Sequence, residues 1–152
     1  MTEGIRKTID EAIRWMVLEQ AIARKSDEYD RLAQEYAARL IATRVDKTQV
    51  RGLETLARTT DRVSDITDWL KLRVGRDSRR EGWAKEGIGR DLVTELEGLR
   101  SDARKIVNEL RSKGNAFASD PDLERQVHLR LCREFIKHLA AHFEYLKVER
   151  ER

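Results

Sequence analysis

The chain has 152 residues, of which 39% are hydrophobic and 39% charged, with a single proline and a formal net charge of +3. That length supplies one domain with a core of modest size, and the near absence of proline excludes a turn-dense sandwich or barrel in favour of long helices. A balance of 31 basic against 28 acidic residues excludes a histone-like blanket of positive charge, so any nucleic-acid contact requires basic residues segregated on the folded surface.

In chain order, a first helix is predicted over about Glu3 to Lys25, its buried stripe marked by Ile5, Ile9, Ile13, Met16 and Leu18 or Gln20. Ala12 and Ala23 allow close approach. A second helix starts at Ser26 or Asp27 and carries Tyr29, Leu32, Tyr36 and Leu40 at spacings of three and four. No glycine or proline separates the two, so one bent rod is the alternative.

Asp46 and Gln49 in VDKTQ form a capping-box signature for a third helix over about Lys47 to Val74. Its apolar positions are Val50, Leu53, Leu56 or Ala57, Val63, Ile66, Leu70 and Val74. The stretch Val74 to Arg90, VGRDSRREGWAKEGIGR, then holds four of the eight glycines and five basic residues. It reads as a glycine-rich basic connector at about 75–90, with Gly82 to Gly89 mobile until the protein assembles. A fourth helix follows over about Gly89 to Lys113, with Leu92, Leu96, Leu99, Ala103, Ile106 and Leu110 inward. Gly114 stops it, because glycine takes the left-handed conformation without a Cβ penalty. The last helix has Asp120 as its N-cap, Pro121 at its first position, and Leu123, Val127, Leu131, Phe135, Leu139, His142 and Leu146 on its buried face. No segment alternates as a strand does. The expected architecture is all-α: one elongated bundle of four to five helices spanning 1–152.

Little in this sequence assembles chemistry. His138 and His142 stand four apart, on one helix face, which is half of a metal site. The residues read HLAAH rather than H-E-x-x-H, and no second His/Cys cluster supplies further ligands, so two histidines bordering the core is the expected reading, with no metal and no cofactor. GIGR, at Gly87 to Arg90, lacks the preceding strand and following Lys-Ser/Thr of a nucleotide-binding loop. No nucleophile, base and oxyanion donor can be named together, so no catalytic residues and no enzyme are expected. Trp15 and Trp69 read as buried anchors. Trp83 reads as packing its loop against the core, with stacking on a base or a partner as the alternative.

The arginines carry more information. At about 100° per residue, Lys47, Arg51, Arg58, Arg62, Arg73 and Arg76 fall within a sector of roughly 80° on the predicted third helix, away from its apolar stripe. Such a stripe can track a phosphate backbone and would make binding strongly salt dependent. A solvated helix face is the competing reading. The lone Cys132 cannot form an internal disulfide, no secretory leader pattern opens the chain, and no apolar run reaches the ~20 residues of a membrane span. A cytoplasmic protein without membrane contact is expected.

Three segments, VDKTQVRGLETLART, ITDWLKLRVGRD and FIKHLAAHFEYLK, resemble the small α-helical subunit of type III CRISPR–Cas effector complexes, the III-A branch in particular. The matching features are the helix entry Lys47-Thr48-Gln49-Val50-Arg51, the Gly75-Arg76 end of a leucine-rich helix, and a last helix bearing Phe135, Ala140, Ala141, Phe143 and Tyr145. The longer, glycine-richer Val74–Arg90 stretch and the absence of a closing Tyr-His-Lys bring the type I small subunit in as a close relative. The resemblance implies a non-catalytic subunit that stacks head to tail into a minor filament beside other CRISPR effector subunits. It also implies contact with the guide-RNA/target-RNA (or DNA) backbone without base reading. Carried onto this chain, it makes Arg51, Arg58, Arg62 and Arg76 target-strand contacts, with Arg79, Arg80 and Arg90 as further candidates, and makes exposed apolar positions at the bundle ends stacking surfaces. A helical adaptor or oligomerisation module that touches only protein is the alternative.

Overall fold

Helix-end chemistry divides the described residues into five α-helices: α1 (Glu3–Ile41), α2 (Lys47–Thr59), α3 (Val63–Arg76), α4 (Ile88–Ser112) and α5 (Leu123–Arg150). The computed structural model describes residues 2–151, the side chains of 116 and 117 excepted. The all-α architecture is the expected one, with helix count at the upper end of the expected range.

The helices alternate in direction. α1 and α5 run parallel, matched along their length by Glu19 with Arg130, Ser26 with His138, Asp30 with His142, and the Ile41 carbonyl with Arg150. α4 runs against α1, through Tyr29 donating to Asp102 and Arg39 pairing with Asp91. α2 runs against α5, with Arg51 on Glu144 at one end and Ala57 near Arg133 at the other. α5 is the hub, in contact with every other helix. Phe135 at its centre is fully buried and meets the rings of Tyr29 and Tyr36 at 6.0 and 5.9 Å. Burial pushes the Tyr36 hydroxyl up to about 12, and the hydroxyl donates to Glu95 and to the Asp91 carbonyl, so the polar tip is satisfied at the rim. The stripe read for α4 is buried as expected, and so is that of α5 from Leu123 to Leu139, whereas His142 and Leu146 are only partly buried.

Four expectations fail locally. The chain from Glu3 to Ile41 is one continuous helix, ~58 Å long, so the proposed boundary at Lys25 does not exist and the single-rod alternative holds. Its N-terminal stripe is not buried: Ile5, Ile9, Ile13 and Met16 are exposed, and so is Trp15. The helix meets the bundle at Arg14, whose carbonyl accepts from Asn115 in the α4–α5 connection, and the turns before it extend past that connection. Burial on α1 begins at Leu18, the correct member of the pair Leu18 or Gln20.

The third predicted helix is two. Thr60 leaves α2 in an extended conformation, and its hydroxyl donates to Asp65 while accepting from the Arg62 N–H, closing a turn into α3. From α5, Arg133 donates to the Ala57 and Thr60 carbonyls at 2.8 and 2.6 Å, and Arg125 donates to the Asp61 carbonyl. Side-chain donors thereby cap the end of α2 without any glycine or proline. The last helix starts at Leu123 rather than beside an Asp120 N-cap: Asp120 instead closes its own turn by accepting from the Asp122 N–H.

Helix α4 begins where it crosses α3 at close range. Gly89 donates its N–H to the Trp83 carbonyl, and a Cβ there would stand 2.7 Å from that oxygen and 2.4 Å from Val74 Cγ2. Gly98, on the same helix, has open space around its Cα. Gly89→Ala is expected to destabilise the fold by about 1–3 kcal/mol through overpacking, and Gly98→Ala to stabilise it by about 0.4–1 kcal/mol through the unfolded chain. Thermal melts check both, at roughly 2–4 °C per kcal/mol for a chain of this size.

Candidate nucleic-acid interface

Three chain segments meet at the end of the bundle where α1 and α3 finish. The α1–α2 connection pairs with the segment after α3 through the Arg44 N–H on the Glu81 carbonyl, 2.8 Å. Lys85 donates to the Ala42 carbonyl at 2.9 Å, giving α1 a basic cap at its negative end. The Asp46–Gln49 capping box forms as predicted and starts α2 beside this junction.

Residues 77–87 are built on one carboxylate. Asp77, at the end of α3, accepts from the N–H groups of Ala84 (2.8 Å), Gly82 (2.9 Å) and Glu81 (3.3 Å). These bonds, Ala84's foremost, hold the Asp77 carboxyl below the usual carboxylate range. The turn passes through left-handed residues at Arg80 (φ 55°), Glu86 (φ 53°) and Gly87 (φ 75°). Trp83 is driven inward to 2% exposure, edge-on to Trp69 at 5.6 Å, and the Arg73 guanidinium lies 4.2 Å above the Trp69 ring. The expectation of a mobile connector over Gly82–Gly89 is therefore replaced by a pinned turn, with its tryptophan as the anchor.

Beneath this turn lies an open cavity of about 440 Å³, lined by Arg44, Gln49, Arg73, Arg76, Arg79 and Trp83. Asp77 and Glu81 also border it, but Asp77 is engaged by the turn and Glu81 by Arg44 at 3.3 Å. A second cavity shares Arg44 and Glu81 and adds Lys85 and Lys147. The two form one basic surface across the end of the bundle.

The predicted stripe does not survive as a stripe. It required one helix from Lys47 to Arg76, and the reversal at Thr60–Arg62 folds it in half. Arg73, Arg76 and Arg79 are brought together at the cavity, and among the described residues neither Arg76 nor Arg79 has an acid at pairing distance. Arg80 belongs to the same turn but does not line the cavity. Arg51 is tied to Glu144, a hydrogen bond that also holds the Glu144 carboxyl below its ordinary range, and Lys47 stands near that pair. Arg58 and Arg62 lie at the far end of α2 and at the start of α3; Arg62 is flanked by Asp61 and Asp65. Arg62 lines a different cleft with Arg100 and Arg125, where Glu124 and Asp122 neutralise the other two. Arg90 sits on the first turn of α4 beside Asp91.

Residues the sequence reading missed as site residues are Arg44, Gln49, Lys85 and Lys147, and the indole of Trp83 as part of the wall. Arg44 lies in a connection, where helical periodicity carries no signal, and Lys147 is about a hundred residues away along the chain. His138 and His142 border the core: His138 Nδ1 and His142 Nε2 lie 3.3 and 2.7 Å from Asp30 Oδ1, and His138 Nε2 is 2.8 Å from Ser26 Oγ. Among the described residues no group of three or more His, Cys, Asp and Glu side chains is arranged to hold a metal ion. Burial raises the Cys132 thiol to about 12, and among the described residues no helix is long and apolar enough to cross a membrane.

Because Asp77's carboxyl is depressed in the folded protein, its contribution is present above the ordinary aspartate range near ~4 and is lost as pH falls through the lower folded value. Asp77→Asn is expected to lower stability at neutral pH and to flatten the loss of stability below about pH 4, read from denaturant melts across the acid range. Comparison of the chain with family models, with curated proteins and with solved structures finds no match.

Proposed function

We propose that this chain is a non-catalytic, nucleic-acid-contacting subunit of a CRISPR ribonucleoprotein effector complex, gripping the strand backbone without sequence preference. The observation that carries the reading is the basic surface at the end of the bundle. Arg44, Arg73, Arg76, Arg79, Lys85 and Lys147 converge there from four parts of the chain, and the acids among them are already engaged by Arg44 or by backbone N–H groups. Convergent cations with few competing acids suit phosphate neutralisation and counterion release. The CRISPR assignment itself rests on the sequence resemblance of the helix entries and of the last helix.

The other end of the molecule supports self-association. Ile5, Ile9 and Ile13 lie on the part of α1 before its contact with the α4–α5 connection at Arg14, and Met16, just after that contact, is 58% exposed on the same helix. An apolar face at one end and a basic surface at the other suit a polar, head-to-tail stack. The same face favours the second reading, a helical adaptor that binds only protein.

Arg76→Glu with Arg79→Glu is expected to weaken single-stranded RNA binding by the assembled complex at least tenfold, and to reduce the salt slope by about 0.7 for each phosphate that is no longer neutralised. Arg58→Glu, on the last turn of α2 and away from that basic surface, serves as the control and is expected to change neither. Unchanged affinity and slope in the double variant would overturn the nucleic-acid reading. Affinity capture of the tagged chain from its own cells is expected to recover guide RNA together with CRISPR backbone subunits. Recovery of a protein partner with no RNA would leave the adaptor.

A further inference from the structure

The cavity beneath the 77–87 turn has a deficit of acceptors. Trp83 is 2% exposed, yet its indole Nε1 has no hydrogen-bond partner among the described residues, and neither has the buried Nε of Arg73. Both atoms can only donate, and buried donors in native proteins are rarely left unpaired. Both residues line the same cavity. Around them Arg76 and Arg79 hold guanidiniums with no acid at pairing distance among the described residues, and Arg44 has only Glu81. An acceptor with several lone pairs and negative charge would satisfy these donors and the surrounding guanidiniums together.

Geometry selects among oxyanions. A carboxylate is planar and is satisfied by one guanidinium fork, whereas a phosphate group accepts from several directions at once, as four arginines around one open cavity can supply. A nucleobase is not accommodated: Trp83 is buried edge-on to Trp69, and the Trp69 face is covered by Arg73. The ring that lines the cavity, Trp83, is 2% exposed and offers no free face for stacking.

We infer that this cavity is a phosphate-group site, in which the Trp83 and Arg73 N–H groups are the inner donors and Arg44, Arg76 and Arg79 the outer clamp. Both inner donor atoms are buried, so contact with the phosphate requires the side chains over them to move aside. The inference rests on the nucleic-acid reading above and names the chemical group that the surface grips: one backbone phosphate, with no base recognised.

The three tryptophans of the chain give three indole N–H signals in a proton–nitrogen correlation spectrum, and Trp83→Phe identifies the relevant one. Should that variant fail to fold, Trp15→Phe and Trp69→Phe assign it by elimination. Titration of the full chain with inorganic phosphate is expected to shift the Trp83 signal along a saturating curve, while chloride at matched ionic strength leaves it in place. Acetate is expected to be at least tenfold weaker than phosphate, and Arg76→Gln with Arg79→Gln to weaken phosphate at least tenfold. A Trp83 signal that does not move, that moves equally with chloride, or that saturates identically in the double variant overturns the site; tighter saturation by acetate overturns it in favour of a carboxylate from a protein partner. RNA binding that is lost in Arg76→Glu with Arg79→Glu, alongside a phosphate-silent Trp83, removes this inference and leaves the nucleic-acid reading. A phosphate-responsive Trp83 in a chain without RNA affinity does the reverse.

Discussion

A helix that ends inside a protein leaves carbonyl oxygens in search of donors, and the way α5 meets that need for α2 determines where the basic residues go. Arg133 reaches the Ala57 and Thr60 carbonyls, and Arg125 reaches that of Asp61, so α2 can stop after 13 residues with no glycine or proline at its end. The Thr60 hydroxyl then turns the chain onto Asp65. Without that reversal, Arg73 and Arg76 would lie on a rod leading away from Lys47. With it, α3 returns to the level of the α1–α2 connection and delivers them beside Arg44 and Gln49.

The second constraint is the carboxylate of Asp77. A loop of eleven residues with two glycines, its three basic residues balanced by three acids, has no single shape if nothing organises it. Three N–H groups converging on one carboxylate, and an indole buried on the reverse side, instead give it a single shape. Gly89 then admits the Trp83 carbonyl to hydrogen-bond distance of α4, where any side chain would collide. The glycine that looks like a fragment of a phosphate loop is a packing glycine. Phosphate recognition, where it is proposed, belongs to the arginines around the turn.

Much of this architecture is legible because helices announce themselves locally. The Asp46–Gln49 capping box, the stop at Gly114 and the inward stripes of Leu92 to Leu110 and Leu123 to Leu139 each depend on residues within a few positions of one another. The candidate site is legible only in part. Charge and clustering single out Arg73, Arg76 and Arg79, but helical phase extrapolated across Thr60–Arg62 groups them with Arg51, Arg58 and Arg62, and the helix does not continue there. Arg51, well placed by phase, is occupied by Glu144, ninety-three residues later in the chain.

Local spacing by itself determined that the chain is helical, where α1 and α2 begin, where α4 begins and ends, and which face of α4 and of most of α5 is apolar, because caps and periodicity act over one or two turns. Only the tertiary structure decided which apolar stripe finds a partner: the α1 stripe through Ile5, Ile9 and Ile13 is as regular as any other, but the bundle does not extend far enough to cover it. It also decided which arginines keep their charge available, since an ion pair depends on where an acid from another helix comes to rest. Trp83 shows the division most plainly. Its sequence neighbours are charged and glycine-rich, yet Asp77 and Trp69 bury it, and burial without an acceptor is what turns an anchor into a candidate donor.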